Sequence, residues 1–356
     1  MNRLDKALSS IEPIDESLIK YYRNEWDKLL HPIGSLGELE ELSIRISAMR
    51  DEKIEKLKKR AIVVMCSDNG IVKEDVTSSP QELTVKLTRA MLKGLTGVCA
   101  LAKDADSEII IVDMGMLEEI EDDRLIKRRI APITKNFMKE PAMTIDEAIE
   151  AICSGIEIAD KLYKEYDILG TGELGMGNTT TSAAVISAAL NLDEKLIVGL
   201  GSGVSDEQYQ KKLSVVKNAI KKYELNKKEP IEILATVGGF DIAGLVGIFI
   251  SAAKNKKPVV IDGLISSAAA LIAYKLNNNC KDYMIASHLS KESGEKYVLD
   301  ELKLLPMLDL NMRLGEGSGC PLAFKILDSS FFALNNMGTY KENEVEENIL
   351  VNIRDR

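Results

Sequence analysis

The sequence predicts an α/β fold, in which a doubly wound parallel sheet is joined to a smaller helical domain from the N- and C-terminal segments. Short apolar runs that are rich in β-branched residues recur along the middle of the chain. These runs are continuous rather than alternating, which is typical of strands that are covered on both faces. Helical segments lie between the runs, and strands that alternate with helices indicate a parallel sheet.

Residues 1–58 have the pattern of helices and are predicted to form the N-terminal part of the small domain. Apolar residues recur there at three- and four-residue spacing, as at Leu39, Leu42 and Ile46, which is the spacing of one helix face. The stretch PIGSLG, residues 32–37, interrupts this pattern and supplies a Ser/Gly entry to the next helix.

Residues 59–320 are predicted to form the α/β domain. Most of its candidate strands end in Gly, Asp or Ser, so polar groups gather at the carboxyl ends of the strands, where such sheets bind ligands. Helices are predicted at residues 180–190 and 264–276, and the tail, residues 321–356, returns to a helical pattern that is assigned to the small domain. The candidate strands are residues 61–70, 108–115, 166–173, 232–239, 258–263 and 283–288.

The composition excludes several classes of protein. Of the 356 residues, 45% are hydrophobic and 29% charged, the balance of a soluble globular protein. The formal net charge of −10 opposes nonspecific binding to nucleic acid or to an anionic membrane, because both require a basic face. The chain has no run of 18 apolar residues, and its start lacks the apolar stretch of a signal peptide, so neither a transmembrane helix nor a signal peptide is expected.

The cysteines and histidines indicate the compartment and the chemistry. The five cysteines are scattered and form no C-x-x-C pair, which is typical of reduced thiols in a cytoplasmic protein. The only two histidines, His31 and His288, lie in no ligand-like cluster, so neither a zinc site nor a Ser-His-Asp triad is expected. We therefore expect chemistry without a metal.

The stretch that follows the third candidate strand has the spacing of a dinucleotide-binding fingerprint: Gly170-x-Gly172-x-x-Gly175. A nicotinamide-dependent dehydrogenase is therefore one hypothesis. Glu173 opposes it, because a carboxylate inside the loop would face the anionic pyrophosphate.

A dehydrogenase also needs an acidic residue that ends the next strand and binds a ribose hydroxyl. The nearest acids, Asp193 and Glu194, come before the next strand-like run, LIVGLGSG, and not after it. The glycine spacing therefore occurs without the acidic residue that a dinucleotide-binding site needs.

Two glycine-rich stretches predict a site for a phosphate-bearing small molecule. Residues 175–180 open a predicted helix, and residues 199–203 form a second cluster. Glycines let backbone N–H groups converge on an anion, and a helix N-terminus favours negative charge. Further along the chain, Glu316 stands between Gly315 and Gly317, where little side-chain cover would separate it from a ligand.

Several long motifs together resemble the nicotinate-nucleotide:dimethylbenzimidazole phosphoribosyltransferase family. The resemblance spans nearly the whole chain and includes PIGSLGELE near the start. It implies a Rossmann-like parallel sheet with a small helical domain, and a homodimer. The motifs that carry it are LTGVCAL (95–101), GELGMGNTTTSAA (172–184), VGGFDIAGLVG (237–247), VIDGLISSAAAL (260–271), SHLSKESG (287–294) and MRLGEGSG (312–319).

The resemblance implies transfer of 5-phosphoribose from nicotinate mononucleotide to a benzimidazole nitrogen, a step in cobalamin biosynthesis that gives α-ribazole 5′-phosphate and nicotinate without a cofactor. By motif, Glu316 would be the general base and Glu173 would lie near the positive charge that develops on the ribose. Asp262 would be the third acid of the catalytic site, and Lys212 its basic residue. The other implied substrate contacts are Gly175, Gly177, Asn178, Thr179, Gly201, Gly203, Ser290, Ser79, Leu314 and Gly315.

The chain departs from the family pattern at two positions near the expected base. Asn69 stands where members often have histidine, and Leu87 stands where some have glutamine, while Ser79 matches a residue that lines the base site. Base identity therefore stays open among dimethylbenzimidazole, benzimidazole, a purine and a phenol. A noncatalytic subunit that needs a paralogous partner is the other open alternative.

Overall fold

The computed structural model describes residues 3–201, 203–345 and 352–354. Ser202, in the second glycine cluster, lies outside the described residues, as do residues 346–351, 355 and 356 of the predicted C-terminal helical part. Within the described residues, no helix is long and apolar enough to cross a membrane. All five cysteines are free thiols, and three of them are buried.

A sheet of six parallel strands forms the centre of the protein. The strands are β1 (Arg60–Ser67), β2 (Glu108–Gly115), β3 (Leu125–Lys127), β4 (Ile168–Leu174), β5 (Val259–Ile261) and β6 (Met284–Ala286). Their order in the sheet is β3-β2-β1-β4-β5-β6, and every neighbouring pair is parallel. The α/β, doubly wound prediction is confirmed. The order reverses direction between β1 and β4, and a crevice for ligands forms at such a reversal.

Helices cover both faces of this sheet and extend from it at the chain ends. In the described residues they are α1 (Arg3–Ser9), α2 (Glu16–Asp27), α3 (Glu38–Arg50), α4 (Leu83–Leu92), α5 (Gly97–Asp104), α6 (Ile145–Leu162), α7 (Asn178–Leu190), α8 (Glu194–Ile197), α9 (Asp206–Tyr223), α10 (Pro230–Val237), α11 (Phe240–Lys254), α12 (Leu264–Leu276), α13 (Gly294–Leu302) and α14 (Gly319–Asn336).

Five of the six candidate strands contain a strand, but residues 232–239 were predicted wrongly. Helix α10 occupies this run, because Pro230 fits the first helical position and the Glu229 and Glu232 side chains cap each other's backbone N–H. The run is buried almost throughout, so its apolar residues showed no period that would separate a helix from a strand. The strand-like run at 196–203 is also wrong, since α8 ends at Ile197 and a loop follows.

Helices α6 and α11 pack against each other through glycines. A Cβ atom added at Gly155 would lie 2.0 Å from the carbonyl oxygen of Gly244, and one added at Gly247 would lie 2.1 Å from that of Ile152. The two backbones therefore touch at this crossing. α11 can be apolar on all sides because it is buried on all sides.

A second, smaller apolar cluster lies where the chain ends meet. It is formed by Tyr22, Trp26, Leu29, Ile44 and Ala48, and residues of α14 pack against it. Other residues of α1 and α3 belong instead to the main core, which includes the sheet. The division of the chain into domains 1–58, 59–320 and 321–356 therefore stays a prediction.

The glycine crossing predicts that Gly155→Ala is destabilising, although alanine is the better helix former. The added methyl group must push two backbones apart, and overpacking of this kind costs about 1–3 kcal/mol. Urea denaturation should show that loss in the free energy of unfolding. Ser154→Ala, one residue away, is the control, and we expect it to change stability by less than about 0.5 kcal/mol. Equal stabilities of the two variants would contradict the close packing.

Candidate active site

A cleft with a volume of about 230 Å³ opens at the carboxyl ends of β4, β5 and β6, beside the reversal of strand order. All but two of the predicted site residues line it. Those that do are Glu173, Asp262, Glu316, Ser79, Gly175, Gly177, Asn178, Thr179, Gly201, Ser290, Leu314 and Gly315. Lys212 lies behind the wall, and Gly203 lies outside it.

The loop that carries Glu316 has an unusual backbone. Gly315, Glu316 and Gly317 all have positive φ angles, of 79°, 62° and 89°. A glutamate rarely adopts this left-handed conformation, and such strain persists only where the surroundings hold it. The Glu316 carboxylate accepts a hydrogen bond from the backbone N–H of Val98, at 3.2 Å, in the first turn of α5. The loop thus holds a carboxylate in the cleft wall with only 7% of the residue exposed.

Asp262 holds the Glu316 loop in place through two hydrogen bonds to its backbone. Its two carboxylate oxygens accept hydrogen bonds from the backbone N–H groups of Gly317, at 3.1 Å, and Gly319, at 2.6 Å. Because Gly319 begins α14, the carboxylate also lies at the positive end of that helix. Burial raises the pKa of Asp262 to about 7 although both N–H groups lower it, and the nearby Glu316 charge raises it further. In this structure Asp262 positions the loop of Glu316.

At the three glycines of the apparent dinucleotide fingerprint, other parts of the same chain occupy the space that a side chain would fill. A Cβ atom at Gly172 would lie 2.5 Å from the carbonyl oxygen of Glu316, and one at Gly170 would lie 2.7 Å from the Cβ of Cys320. One at Gly175 would lie 2.3 Å from the carbonyl oxygen of Ser67. The spacing lets β4 contact the Glu316 loop and the end of β1. It does not cradle a pyrophosphate.

Glu173 lies under the Glu316 loop within a buried polar cluster. The side-chain amide of Asn178 donates to the Glu173 carboxyl group and also, at 3.2 Å, to Asp241. Burial first, and then the Asp241 charge, raises the pKa of Glu173 to about 8. These surroundings therefore favour the protonated form of Glu173 at neutral pH.

Asp241 is a buried acid that the sequence reasoning did not select. It lies in the first turn of α11, where the backbone N–H of Ile242 donates to it at 2.9 Å, and burial raises its pKa to about 6. The motif VGGFDIAGLVG contains it, and an acid in so apolar a stretch was the available signal.

Lys212 supplies buried positive charge at another part of the wall. Its ammonium group donates to the Thr179 hydroxyl, at 3.2 Å, and to the carbonyl oxygen of Gly199, at 2.9 Å. Burial lowers the pKa of Lys212, and the charge of Glu292 opposes that shift. The backbone N–H of Gly201 already has an acceptor, since it donates to Glu292 at 2.9 Å.

Sequence reasoning missed Glu292 and the exposed Arg313, which both line the cleft.

Two glycines have roles other than those expected. Gly177 precedes α7 with φ 86°, and a Cβ atom there would lie 2.9 Å from the Val72 side chain, so substitution would disturb the fold as well as the cleft. Gly203 has φ 104°, and its carbonyl oxygen accepts a hydrogen bond from the Ser78 hydroxyl at 2.7 Å.

The opposite part of the cleft is more apolar. Leu83 and Leu87 lie one turn apart on α4 and line it beside Thr77 and Ser79. Asn69 is fully buried, and its amide donates to the carbonyl oxygen of Met176 at 3.3 Å. Asn69 thus supports the wall from behind.

The described residues contain no group of three or more His, Cys, Asp or Glu side chains that could hold a metal ion. His288 lines the cleft, is buried, and has its Nδ1 atom 2.9 Å from the Ser287 hydroxyl. Burial lowers the pKa of His288, which favours the neutral ring.

Comparisons with known proteins match almost the whole chain to phosphoribosyltransferases. A family model described as "Phosphoribosyltransferase" matches residues 11–345. A Clostridium tetani protein named nicotinate-nucleotide–dimethylbenzimidazole phosphoribosyltransferase is 48% identical, over 100% of this chain and 99% of its own length. A protein of the same name from Ruminiclostridium cellulolyticum is 44% identical, over 96% and 98%. The crystal structure of the Thermus thermophilus protein of that name matches with a TM-score of 0.88 and 33% identity, over 93% of this chain and 99% of that one.

The raised pKa of Glu173 predicts how stability depends on pH. A carboxyl group whose pKa is raised on folding stabilises the protein fully below its unfolded pKa, and this contribution is lost as the pH rises through the folded pKa. We therefore expect the free energy of unfolding to fall as the pH rises from about 5 to about 8, by up to about 1.4 kcal/mol per unit for one proton. Glu173→Gln should reduce this slope.

Urea denaturation at a series of pH values measures the slope. Asp122→Asn is the control, because the Arg124 side chain lowers the pKa of that exposed acid to about 2, below the range tested. Equal slopes for Glu173→Gln and the parent would show that Glu173 is ionised in both the folded and unfolded states.

Proposed function

The chain belongs to the nicotinate-nucleotide:dimethylbenzimidazole phosphoribosyltransferase family, and from this premise we propose that it transfers 5-phosphoribose from nicotinate mononucleotide to a lower-ligand base. The base is 5,6-dimethylbenzimidazole or a close relative, and the products are α-ribazole 5′-phosphate and nicotinate, for cobalamin biosynthesis. The observation that supports this most strongly is Glu316, which is held in the cleft wall by Val98 and by the loop that Asp262 grips.

The reaction suits a site that is rich in acids. The pyridinium of the donor is already a good leaving group, so no general acid is required. Departure of nicotinate leaves positive charge on the ribose, as in the oxocarbenium-like transition state of glycoside hydrolysis. The benzimidazole attacks through its unprotonated ring nitrogen and must lose the N–H proton from the other ring nitrogen. A single positioned carboxylate can accept that proton.

We assign the role of general base to Glu316. Its carboxylate accepts a hydrogen bond from the Val98 N–H, which holds the side chain in the cleft wall before the base arrives. The left-handed backbone of the loop fixes the conformation of Glu316, and the two flanking glycines add no side chains beside it. Asp262 acts in this proposal by fixing the loop.

Glu173 is assigned to the ribose. Burial, and then the Asp241 charge, favours its protonated form. The positive pyridinium of the donor would lower its pKa again, because opposite charge favours the ionised form. A carboxylate that ionises when the pyridinium ring binds beside it then stabilises the charge that develops on the sugar. Asp241 helps to set this balance through the Asn178 amide that both acids share.

The phosphate of the donor is assigned to the end of the cleft near the start of α7. Thr179, Gly201 and Ser290 line that end, Lys212 lies behind it, and a helix N-terminus favours an anion. Gly175, Gly177 and Asn178 form the turn into the helix, and Leu314 and Gly315 cover the cleft from the Glu316 side. The base is assigned to the apolar end beside Ser79 and Leu87.

We also propose that the protein is a cytoplasmic homodimer. Free thiols suit a reducing compartment. Large apolar side chains such as Leu95 and Phe332 are 74% and 68% exposed, which suits a surface that a second copy covers. Sedimentation equilibrium at micromolar concentration measures the mass, and a monomer there would contradict the dimer.

The direct test is to incubate the purified chain alone with nicotinate mononucleotide and a panel of bases: dimethylbenzimidazole, benzimidazole, adenine and a phenol. We expect mass spectrometry to detect α-ribazole 5′-phosphate and an equal amount of nicotinate. Absence of product with every base would contradict a self-sufficient enzyme and favour the noncatalytic subunit.

Glu316→Gln tests the assigned base. The amide keeps the shape but cannot accept the proton, and loss of a general base costs on the order of 10²–10⁴ in rate. We expect turnover to fall by that factor, while the affinity for nicotinate mononucleotide, measured by calorimetry, stays the same. Glu82→Gln, at an exposed acid outside the cleft, is the control. Turnover of Glu316→Gln near the parent value would remove Glu316 from the role.

A further inference from the structure

A polar clasp fastens one wall of the cleft to helix α9. The clasp centres on Asp75, whose carboxylate accepts hydrogen bonds from the Gln208 amide, at 3.0 Å, and from the Lys211 ammonium group, at 2.7 Å. Both donors lie in the first two turns of α9. Asp75 and Lys211 are more than 130 residues apart in sequence, so the clasp joins distant parts of the chain.

The residues that follow Asp75 are joined to the same region. The Gln208 amide also donates to the carbonyl oxygen of Thr77, at 3.1 Å, and the Ser78 hydroxyl donates to that of Gly203, at 2.7 Å. Residues 75–79 are therefore held along their length. Thr77 and Ser79 of this segment line the cleft at the end assigned to the base.

Helix α9 contacts a second part of the cleft through the residue next to the clasp. Lys212 follows Lys211 in sequence, and its ammonium group donates to Thr179 and to the carbonyl oxygen of Gly199. One turn of α9 thus holds the segment that contains Thr77 and Ser79 on one side. On the other side it holds the glycine loop assigned to the phosphate.

Asp75 is suited to this position by its backbone and its charge. It ends a short 3-10 helix, Gly70–Glu74, with φ 55°, a conformation that aspartate and asparagine tolerate better than most residues. The Lys211 and Gln208 side chains lower its pKa, so the carboxylate stays charged in neutral solution. The neighbouring Val76 is buried. Its packing keeps residues 75–79 attached to the protein even when the hydrogen bonds of Asp75 are broken.

We propose that Asp75 is a positioning residue for the acceptor base, which it places by holding residues 75–79 against α9. Asp75 does not contact the reacting atoms, and the proposal rests on the proposed function only in naming a base as the ligand at this end. Without the clasp, the wall would sample positions in which Thr77 and Ser79 no longer face the base. The cost should therefore appear in base binding and not in the chemical step.

Asp75→Asn tests the clasp with the least disturbance. Asparagine keeps the left-handed backbone preference but removes the charge that binds Lys211. Because the partners are exposed, we expect a moderate effect, a rise of about two- to fivefold in the KM for the base. The kcat and the KM for nicotinate mononucleotide should stay the same.

Glu207→Gln is the matched control, because Glu207 also pairs with Lys211, at 3.2 Å, yet does not contact residues 75–79. It should leave the KM for the base unchanged. Salt gives a second readout, since exposed pairs are screened at high ionic strength. The KM of the parent for the base should rise with added salt, whereas that of Asp75→Asn should not.

Hydrogen exchange tests the clasp without turnover. We expect amides of residues 75–79 to exchange faster in Asp75→Asn than in the parent and in Glu207→Gln. Faster exchange with an unchanged KM for the base would overturn the positioning role, and so would unchanged exchange. If the parent itself transfers no phosphoribose, the proposed function fails, while the exchange result still decides whether Asp75 holds the wall.

Discussion

The grip of Asp262 on two backbone N–H groups is the interaction on which the geometry of the site depends. Gly317 and Gly319 donate to its two oxygens, so one side chain fixes the path of the chain on both sides of Ser318 and the point where α14 begins. The left-handed conformation of Glu316 would not persist without such a constraint. A buried carboxyl group is costly, and its raised pKa shows that the two N–H groups offset this cost only in part. The protein thus uses one buried acid to place another at the cleft surface.

The accumulation of acids fits the positive charge that the proposed reaction brings to this end of the cleft, on the pyridinium ring and on the ribose in the transition state. Glu173, Asp241 and Asp262 are all buried, and burial raises the pKa of each. The charges of such a cluster repel one another, so protons must occupy part of it in the free protein. The positively charged pyridinium ring of the donor would change that balance, because positive charge close to the acids favours their ionised forms. The same acids would repel a pyrophosphate, which agrees with the finding that the fingerprint glycines of β4 pack against the protein's own chain.

The sequence predicted the secondary structure correctly where the pattern of apolar residues matched the burial of the element. β1 and β4 are buried throughout, so their continuous apolar runs were recognisable, and α12 coincides with its predicted range. The prediction failed at α10, where burial of most of the run obscured the helical period and the capping residues were the better signal. β3 was missed because it has three residues and pairs along only one edge.

The positions of individual side chains around the cleft were harder to predict than which residues come together there. The motifs identified most of the residues in the cleft wall, yet the positions of Gly203 outside it and Lys212 behind it depend on loop geometry that no spacing encodes. The same holds for Asn69, which supports the wall from behind. Asp241 and Glu292 act through neighbours distant in sequence, so only the folded chain reveals them.

The central claim is that the Glu316 carboxylate meets the proton-bearing nitrogen of the acceptor base. A crystal structure of the protein with dimethylbenzimidazole, without the phosphoribosyl donor, tests this most directly, because no reaction can consume the base. We predict that a ring nitrogen lies within about 3 Å of a Glu316 carboxylate oxygen, the distance of a hydrogen bond. A base that binds in the cleft with both nitrogens directed away from Glu316, toward Glu173 or toward solvent, would contradict the account.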